Sequence, residues 1–121
     1  MQTVETLIEK LHYLPPEVAE DVRRAYYFAE QAHEGQYRRS GDPYIIHPLA
    51  VSKILADMHM DAQSLQAALL HDVIEDTHVS KEALTDAFGS IVADLVDGVS
   101  KIGAIKFESK AEAQAENFRK M

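Results

Sequence analysis

Near the middle of the chain the sequence reads Ala67-Ala68-Leu69-Leu70-His71-Asp72-Val73-Ile74-Glu75-Asp76, an apolar run followed at once by ionisable side chains. Because unpaired charges are costly to bury, groups placed directly behind a buried segment need a partner. Imidazole and carboxylate groups can share a divalent cation. Successive helical residues are about 100° apart around the axis, so His71 and Asp72 can approach one ion from adjacent directions. This stretch therefore predicts a helix that carries a metal site.

An acidic pair, Glu75 and Asp76, follows one helical turn after His71 and Asp72. We expect these carboxylates beside the metal, where one of them can orient or deprotonate a water molecule. A bound metal lowers the pKa of such a water and so generates a nucleophile for phosphoryl chemistry. The dipeptide alone leaves a second interpretation open, in which a histidine ends the helix and the acids are solvated.

A second imidazole, that of His47, shares one predicted helical face with three apolar residues, Val51, Ile54 and Met58. The shared face predicts that its ring points inward, toward other helices. On its own, a histidine such as His47 is more often a hydrogen-bonded core histidine than a metal ligand. Together with His71 and Asp72 it would form a mixed ligand set that suits manganese, iron or zinc, and magnesium less well. We expect His33, on an apolar stripe, to be a core histidine and not a ligand.

Helical spacing of apolar residues dominates the rest of the chain, and no segment alternates like a strand, which predicts an all-α fold. The predicted helices run near Val4 to Leu11, Glu17 to His33, His47 or Pro48 to Met58, Asp61 to Asp76, Ser80 or Lys81 to Phe88, and Ser90 to Val99. Ser109 and Glu112 have capping-box spacing and predict a last helix. Its pattern is unfinished at Met121, which indicates a truncated chain.

Composition limits the classes of function. The 121 residues suffice for one domain, 46% are hydrophobic, and cysteine is absent, which excludes disulfides and thiolate metal sites. No apolar run approaches the roughly 18 residues of a membrane span, and no signal peptide is recognisable, so we expect a cytoplasmic protein. The net charge of −8 argues against nucleic-acid or membrane surfaces. This charge does not exclude a compact anion site, and Arg38 and Arg39 mark the place to look.

Four segments together resemble the N-terminal hydrolase domain of the RelA/SpoT stringent-response family, in its SpoT branch. They are His33-Glu34-Gly35-Gln36, Arg38-Arg39-Ser40-Gly41-Asp42-Pro43-Tyr44-Ile45-Ile46-His47-Pro48, residues 67–77 and Gly98-Val99-Ser100-Lys101. The resemblance covers the chain from about residue 18 onward, and the combination of motifs is specific. It implies an HD-superfamily helical bundle, of which residues 1–121 are the N-terminal part, without the synthetase and C-terminal regulatory domains.

The same resemblance implies an activity. It is metal-dependent hydrolysis of the 3′-pyrophosphate of ppGpp and pppGpp to GDP or GTP and pyrophosphate, the turnover of stringent-response alarmones by a guanosine-3′,5′-bis(diphosphate) 3′-pyrophosphohydrolase. Manganese is the usual metal of the family. Position by position, His47, His71 and Asp72 correspond to metal ligands, and Glu75 and Asp76 correspond to the acidic pair that assists catalysis.

The loop residues Arg38, Arg39 and Ser40 correspond to the family's substrate-binding segment, with Arg38 on the guanine base. A guanidinium is suited to this because it stacks on a purine and also attracts phosphate. One departure is that the family carries a further metal-ligating Asp in a Leu-Ala-Asp-Arg-like segment, which is absent before Met121. We therefore expect weak or absent metal binding and little hydrolysis by these 121 residues alone.

Three alternatives remain. The first is an HD phosphohydrolase that acts on another nucleotide, which the loop from Arg38 to Gly41 disfavours. The second is a non-catalytic regulatory module, as in the RelA branch, which the intact His and Asp positions argue against. The third concerns this stretch of chain only, since core surface left exposed by missing helices would favour self-association.

Overall fold

The computed structural model describes residues 3–98, and the described chain is helical. The helices are α1 (Val4–Lys10), α2 (Pro16–Ala32), α3 (Ile46–Asp57), α4 (Ala62–Leu70), α5 (Val73–Asp76) and α6 (Lys81–Phe88), and residues 90–98 are helical as well. Within residues 3–98 the only β-type pairing is an isolated bridge between Tyr37 and Pro43. The predicted all-α fold is therefore confirmed, whereas the helix expected from Ser109 lies outside the described residues.

Side-chain caps define where three helices begin. Thr3, Asp61 and Ser80 each accept a hydrogen bond from a backbone N–H three residues later, at 3.4, 3.0 and 3.1 Å respectively. Each bond satisfies one of the N–H groups that the first helical turn leaves unpaired. Helix α2 has no side-chain cap. Its first residue, Pro16, lacks an N–H, so one unpaired donor fewer has to be satisfied there.

The hydrophobic core lies between α1, α2, α3 and α4. Helix α4 packs against both α2 and α3, and α1 also contacts both. The fully buried large side chains include Leu7, Leu11, Val22, Leu49, Leu65, Leu69, Leu70, Val73, Leu84 and Val96. Because α4 packs against two helices, its C-terminal end is fixed in position, and so is the start of the segment that follows Leu70. Among the described helices, none combines the length and the apolar character that crossing a membrane requires.

The predicted inward face of α3 is wrong. Ile54 and Met58 are 62% and 66% exposed, and the helix instead buries Pro48, Leu49, Ser52 and Ala56. The reason is that α3 contacts α1 and α4 with one side only, so an apolar residue on its opposite side stays in water. His47, in the first turn of α3, is half-buried.

The single helix predicted from Asp61 to Asp76 is divided in two. Helix α4 ends at Leu70, and the chain turns through His71 and Asp72 before α5 begins. Asp72 has φ −95° and ψ −3°, in the sparsely populated bridge region, and its carbonyl accepts the first hydrogen bond of α5, from the Asp76 N–H at 2.9 Å. The proposed ligand pair therefore lies at a junction between two helices.

The cap at Asp61 gives a testable prediction on stability. Its carboxylate accepts hydrogen bonds from the Ser64 hydroxyl at 2.7 Å and the Ser64 N–H at 3.0 Å, and these hold the pKa of Asp61 below its ordinary value. We expect Asp61→Ala to lower the free energy of unfolding by about 1 kcal/mol at neutral pH. Because the folded-state pKa is depressed, this contribution is present above the unfolded pKa of about 4 and is lost as the pH falls through the folded-state value.

Urea unfolding of both proteins at neutral pH and at about pH 3 measures the difference. Asp61→Asn is the matched control, since asparagine caps a helix equally well and does not ionise. A difference between wild type and Asp61→Ala that is constant across this pH range would contradict the assignment.

Candidate metal centre

Side chains from two parts of the fold meet at one point. His47 comes from the first turn of α3, and His71 and Asp72 come from the junction between α4 and α5. One ligand atom of each lies within 4.8 Å of the others, and all three residues are half-buried. Two ligands that each lie about 2.1 Å from one ion are at most about 4.2 Å apart. Small side-chain rotations would therefore bring all three onto a single cation, and no other such group occurs among residues 3–98.

The ring of His71 is oriented by the backbone. Its Nδ1 lies 2.6 Å from the carbonyl oxygen of Ala68, and because a carbonyl only accepts, Nδ1 carries the proton. Nε2 then faces Asp72 Oδ2 at 3.0 Å. In the neutral ring Nε2 offers its lone pair on the side of the carboxylate, which is the arrangement that a metal ligand needs.

Without a cation, a proton can lie between His71 Nε2 and Asp72 Oδ2. The hydrogen bond to Asp72 raises the pKa of His71 against the opposing effect of burial, and the Ala68 carbonyl adds to the increase. At His47 burial prevails and lowers the pKa below its ordinary value, with the positive charge of Arg38 contributing. His47 is thus held as neutral imidazole, the form that binds metals.

Asp72 supplies negative charge to the cluster. Burial by itself would raise the pKa of Asp72, but hydrogen bonds from His71 and Tyr44 outweigh this effect, so the pKa lies below its ordinary value. The carboxylate is therefore ionised at neutral pH. A negative charge next to two imidazole rings, whose centroids are 6.0 Å apart, is a donor set typical of manganese, iron or zinc.

The acidic pair lies outside this cluster. Glu75 and Asp76 are both exposed on the short helix α5. The charge of Asp76 raises the pKa of both His71 and Tyr44, so its carboxylate lies on the side of the cluster. The position of α5 directly after the junction keeps both acids within one turn of Asp72. Their catalytic roles stay a prediction.

The loop with the predicted substrate-binding residues is a closed turn. The Arg38 N–H donates to the Asp42 carbonyl and the Gly41 N–H donates to the Arg38 carbonyl, both at 2.8 Å. Gly41 has φ +92°, a backbone conformation that favours glycine. Ser40 Oγ donates to Asp42 Oδ2 at 3.0 Å, so this hydroxyl holds the turn together.

The side chains of this loop differ in their relation to the cluster. Arg38, Arg39 and Ser40 are all exposed. Burial lowers the pKa of His47 and the positive charge of Arg38 adds to this decrease, so Arg38 acts electrostatically on the candidate metal site. The described contacts provide no such link for Arg39, and the predicted roles of all three residues in substrate binding stay predictions.

Two residues near the site carry contacts that sequence spacing does not reveal. Tyr44 OH donates to Asp72 Oδ2 at 2.5 Å, and Gln36 Nε2 donates to the Asp76 carbonyl at 2.7 Å. In the sequence, Tyr44 directly follows the turn at Gly41-Asp42-Pro43. This turn indicates that Tyr44 has a defined position, but it does not indicate that Asp72 is its partner. His33 is 3% exposed, as expected of a core histidine.

Comparison with known proteins places the chain among similar sequences. The model of the family described as HD domain matches residues 25–121. The guanosine-3′,5′-bis(diphosphate) 3′-pyrophosphohydrolase of Vibrio cholerae is 62% identical over 90% of this chain and 16% of the relative. The bifunctional (p)ppGpp synthase/hydrolase SpoT of Escherichia coli K12 is 57% identical over the same shares.

A relative from Aquifex aeolicus, also called guanosine-3′,5′-bis(diphosphate) 3′-pyrophosphohydrolase, is 50% identical over 98% of this chain and 17% of its own length. The chain thus spans about one sixth of the length of these curated relatives. The predicted resemblance to the hydrolase region of the RelA/SpoT proteins is confirmed by these similarities.

Proposed function

The chain belongs to the HD-domain family, and from this membership we propose that it is the N-terminal part of a metal-dependent hydrolase domain that removes the 3′-pyrophosphate from ppGpp and pppGpp. The observation that carries the proposal is the approach of His47, His71 and Asp72 to within 4.8 Å of one another. The relatives named for this reaction, at 50% and 62% identity, support the choice of substrate.

Manganese is the metal that we propose for this site. His47 and His71 would hold it through ring nitrogens and Asp72 through a carboxylate oxygen, a mixture of ligands that manganese accepts. When bound, the ion would supply Lewis acidity for the phosphoryl chemistry. Its charge would also offset the negative charge that Asp72, Glu75 and Asp76 present to a polyanionic substrate.

The reaction itself is a hydrolysis. The oxygen of water bonds to phosphorus as the bond from phosphorus to the ribose 3′ oxygen breaks. The 3′ oxygen takes up a proton, which leaves GDP or GTP and pyrophosphate. Glu75 or Asp76 orients the water and accepts its proton, because exposed carboxylates within one turn of the metal ligands are free to reach it.

We propose that Arg38 stacks on the guanine base and that Arg39 and Ser40 flank it. Arg38 is exposed and its charge acts on His47, which supports a nucleotide that bridges the loop and the metal. Locally this cation favours an anion although the chain carries a net charge of −8. We propose a small-molecule substrate in the cytoplasm, with no nucleic-acid or membrane partner.

An apolar groove beside His71 is relevant to association with other protein chains. An apolar groove of about 350 Å³ is lined by Val51, Leu55, Ser64, Ala67, Ala68, His71 and Leu95. Leu95 on its rim is 39% exposed. An apolar surface of this kind favours association, and self-association of the 121-residue chain stays a prediction.

Substitution of Glu75, one member of the acidic pair, tests the proposed function. In the full-length protein that contains this chain, we expect manganese-dependent release of pyrophosphate from ppGpp. Glu75→Gln should lower kcat by about 100-fold or more, because it removes a candidate base, and should leave manganese affinity unchanged. Glu82→Gln, an exposed change on α6, is the matched control.

Three outcomes separate the candidate functions. Absence of pyrophosphate release by the manganese-loaded wild-type protein would contradict the proposal. Hydrolysis of another nucleotide in preference to ppGpp would favour the first alternative, and tight manganese binding without hydrolysis would favour a regulatory module. For the 121 residues alone we expect little hydrolysis, and measurable manganese-dependent turnover by them would contradict that expectation.

A further inference from the structure

Tyr44 links the loop after α2 to the candidate metal site. Its hydroxyl donates to Asp72 Oδ2 at 2.5 Å, and since an ionised carboxylate only accepts, the direction of this bond is unambiguous. The backbone of Tyr44 is held as well, because its N–H donates to the Gln36 carbonyl at 3.0 Å and its carbonyl accepts from the His47 N–H at 3.1 Å. Tyr44 therefore has a defined position relative to two of the three proposed ligands.

The ring of Tyr44 is enclosed by two imidazole rings. Its centroid lies 4.7 Å from that of His33 and 6.2 Å from that of His47. His33 is 3% exposed, and its Nδ1 lies 3.0 Å from Gln36 Oε1. An aromatic ring packed between neighbours in this way has few rotamers available, so its hydroxyl points in a fixed direction.

Gln36 connects the same loop to α5. Its Nε2 donates to the Asp76 carbonyl at 2.7 Å, and because a carbonyl cannot donate, the amide orientation is determined. Oε1 must then face His33, whose Nδ1 carries the proton. Two bonds thus join the loop to the segment with the proposed catalytic residues: that of Gln36 to the backbone of Asp76 and that of Tyr44 to the side chain of Asp72.

The carboxylate of Asp72 depends on these contacts for its position. Asp72 is the N-cap residue of α5, but its side chain makes no capping bond to that helix. Its described hydrogen-bond partners are Tyr44 and His71. When His71 uses its Nε2 lone pair for a metal, it no longer donates to Asp72, and Tyr44 remains. A carboxylate has about four lone-pair sites, so one bond from Tyr44 leaves room for the metal.

We infer that Tyr44 is a positioning residue, which holds the Asp72 carboxylate in the orientation required by the metal. The inference rests on the proposed metal site but not on the proposed substrate. Hydrogen bonds to ligating groups reduce the freedom that the ligand must lose on binding, and their loss typically costs about 10–100-fold in metal affinity.

Manganese binding to the full-length protein that contains this chain tests the inference, with electron paramagnetic resonance of free manganese as the measurement. We expect Tyr44→Phe to weaken manganese affinity by about 10–100-fold. The matched control is Tyr13→Phe, which removes a hydroxyl that donates to the Met60 carbonyl at 2.7 Å on a different side of the fold. Urea unfolding of both variants should show similar free energies of unfolding, because the phenylalanine ring keeps the packing.

The outcomes are distinct. Wild-type protein that binds no manganese would overturn the proposed metal site together with this inference. Wild-type binding with an affinity of Tyr44→Phe within about threefold of it would overturn the inference alone. Failure of Tyr44→Phe to fold, or loss of stability in proportion to the loss of affinity, would show that Tyr44 is structural and would also overturn it.

Discussion

Asp72→Asn is expected to abolish manganese binding and, with it, the hydrolysis of ppGpp. Asp72 supplies the one carboxylate of the cluster that residues 3–98 form, and asparagine keeps its shape and an oxygen that can still accept from Tyr44. The substitution therefore removes charge with little change of packing. We expect the loss of manganese affinity to exceed the roughly 10–100-fold that changes outside the ligand shell cost.

Manganese titration followed by electron paramagnetic resonance, together with pyrophosphate release by the full-length protein that contains this chain, measures both effects. The matched control is Asp57→Asn, since Asp57 is an exposed acid that pairs with Lys10 at 2.7 Å. Manganese affinity of Asp72→Asn within about threefold of the wild type would contradict a ligand role. Loss of affinity in the control as well would indicate a general effect of charge.

Leu69→Ala is expected to have the largest effect on stability, a decrease of about 2–5 kcal/mol in the free energy of unfolding. Leu69 is fully buried in α4, which packs against both α2 and α3. Deleting its branched side chain removes apolar contacts and leaves a cavity that two anchored helices cannot readily close. Since small domains have about 5–15 kcal/mol in total, this is a large fraction.

Urea unfolding of the wild type and the variant measures the change, provided that the slope with denaturant stays constant. Ile54→Ala is the matched control, because Ile54 is 62% exposed on α3, and we expect it to change the free energy by no more than about 0.5 kcal/mol. Equal effects of the two substitutions would contradict the assignment of Leu69 to the core between α2, α3 and α4.

The position of the candidate site at a helix junction has a physical consequence. In a continuous helix, Asp72 would take part in a regular hydrogen-bond ladder. Here Asp72 instead begins a new helix, because its carbonyl accepts from the Asp76 N–H at 2.9 Å. Its side chain is held by Tyr44, which is 28 residues away in sequence. The site thus depends on packing between segments, and not on the order within one helix.

Helix positions followed closely from local sequence. The spacing of apolar residues predicted helices that begin near Asp61 and near Ser80 or Lys81, and in the structure Asp61 and Ser80 cap the first turns of α4 and α6. Such signals act within one turn, so they are readable without knowledge of the fold. The inward face of α3 was predicted incorrectly because the pattern of apolar residues does not specify which side a neighbouring helix covers, and Ile54 and Met58 are in water.

The sequence by itself determined the helical class, the residue types of the candidate metal site and the resemblance to the HD family. These depend on spacings of three or four residues and on motifs read along the chain. The tertiary structure alone decided that the helix breaks at His71 and Asp72, that Tyr44 donates to Asp72 and that Gln36 holds the backbone of Asp76. These last two bonds join residues 28 and 40 positions apart, and helical periodicity carries no information over such distances, because packing between elements sets which faces meet.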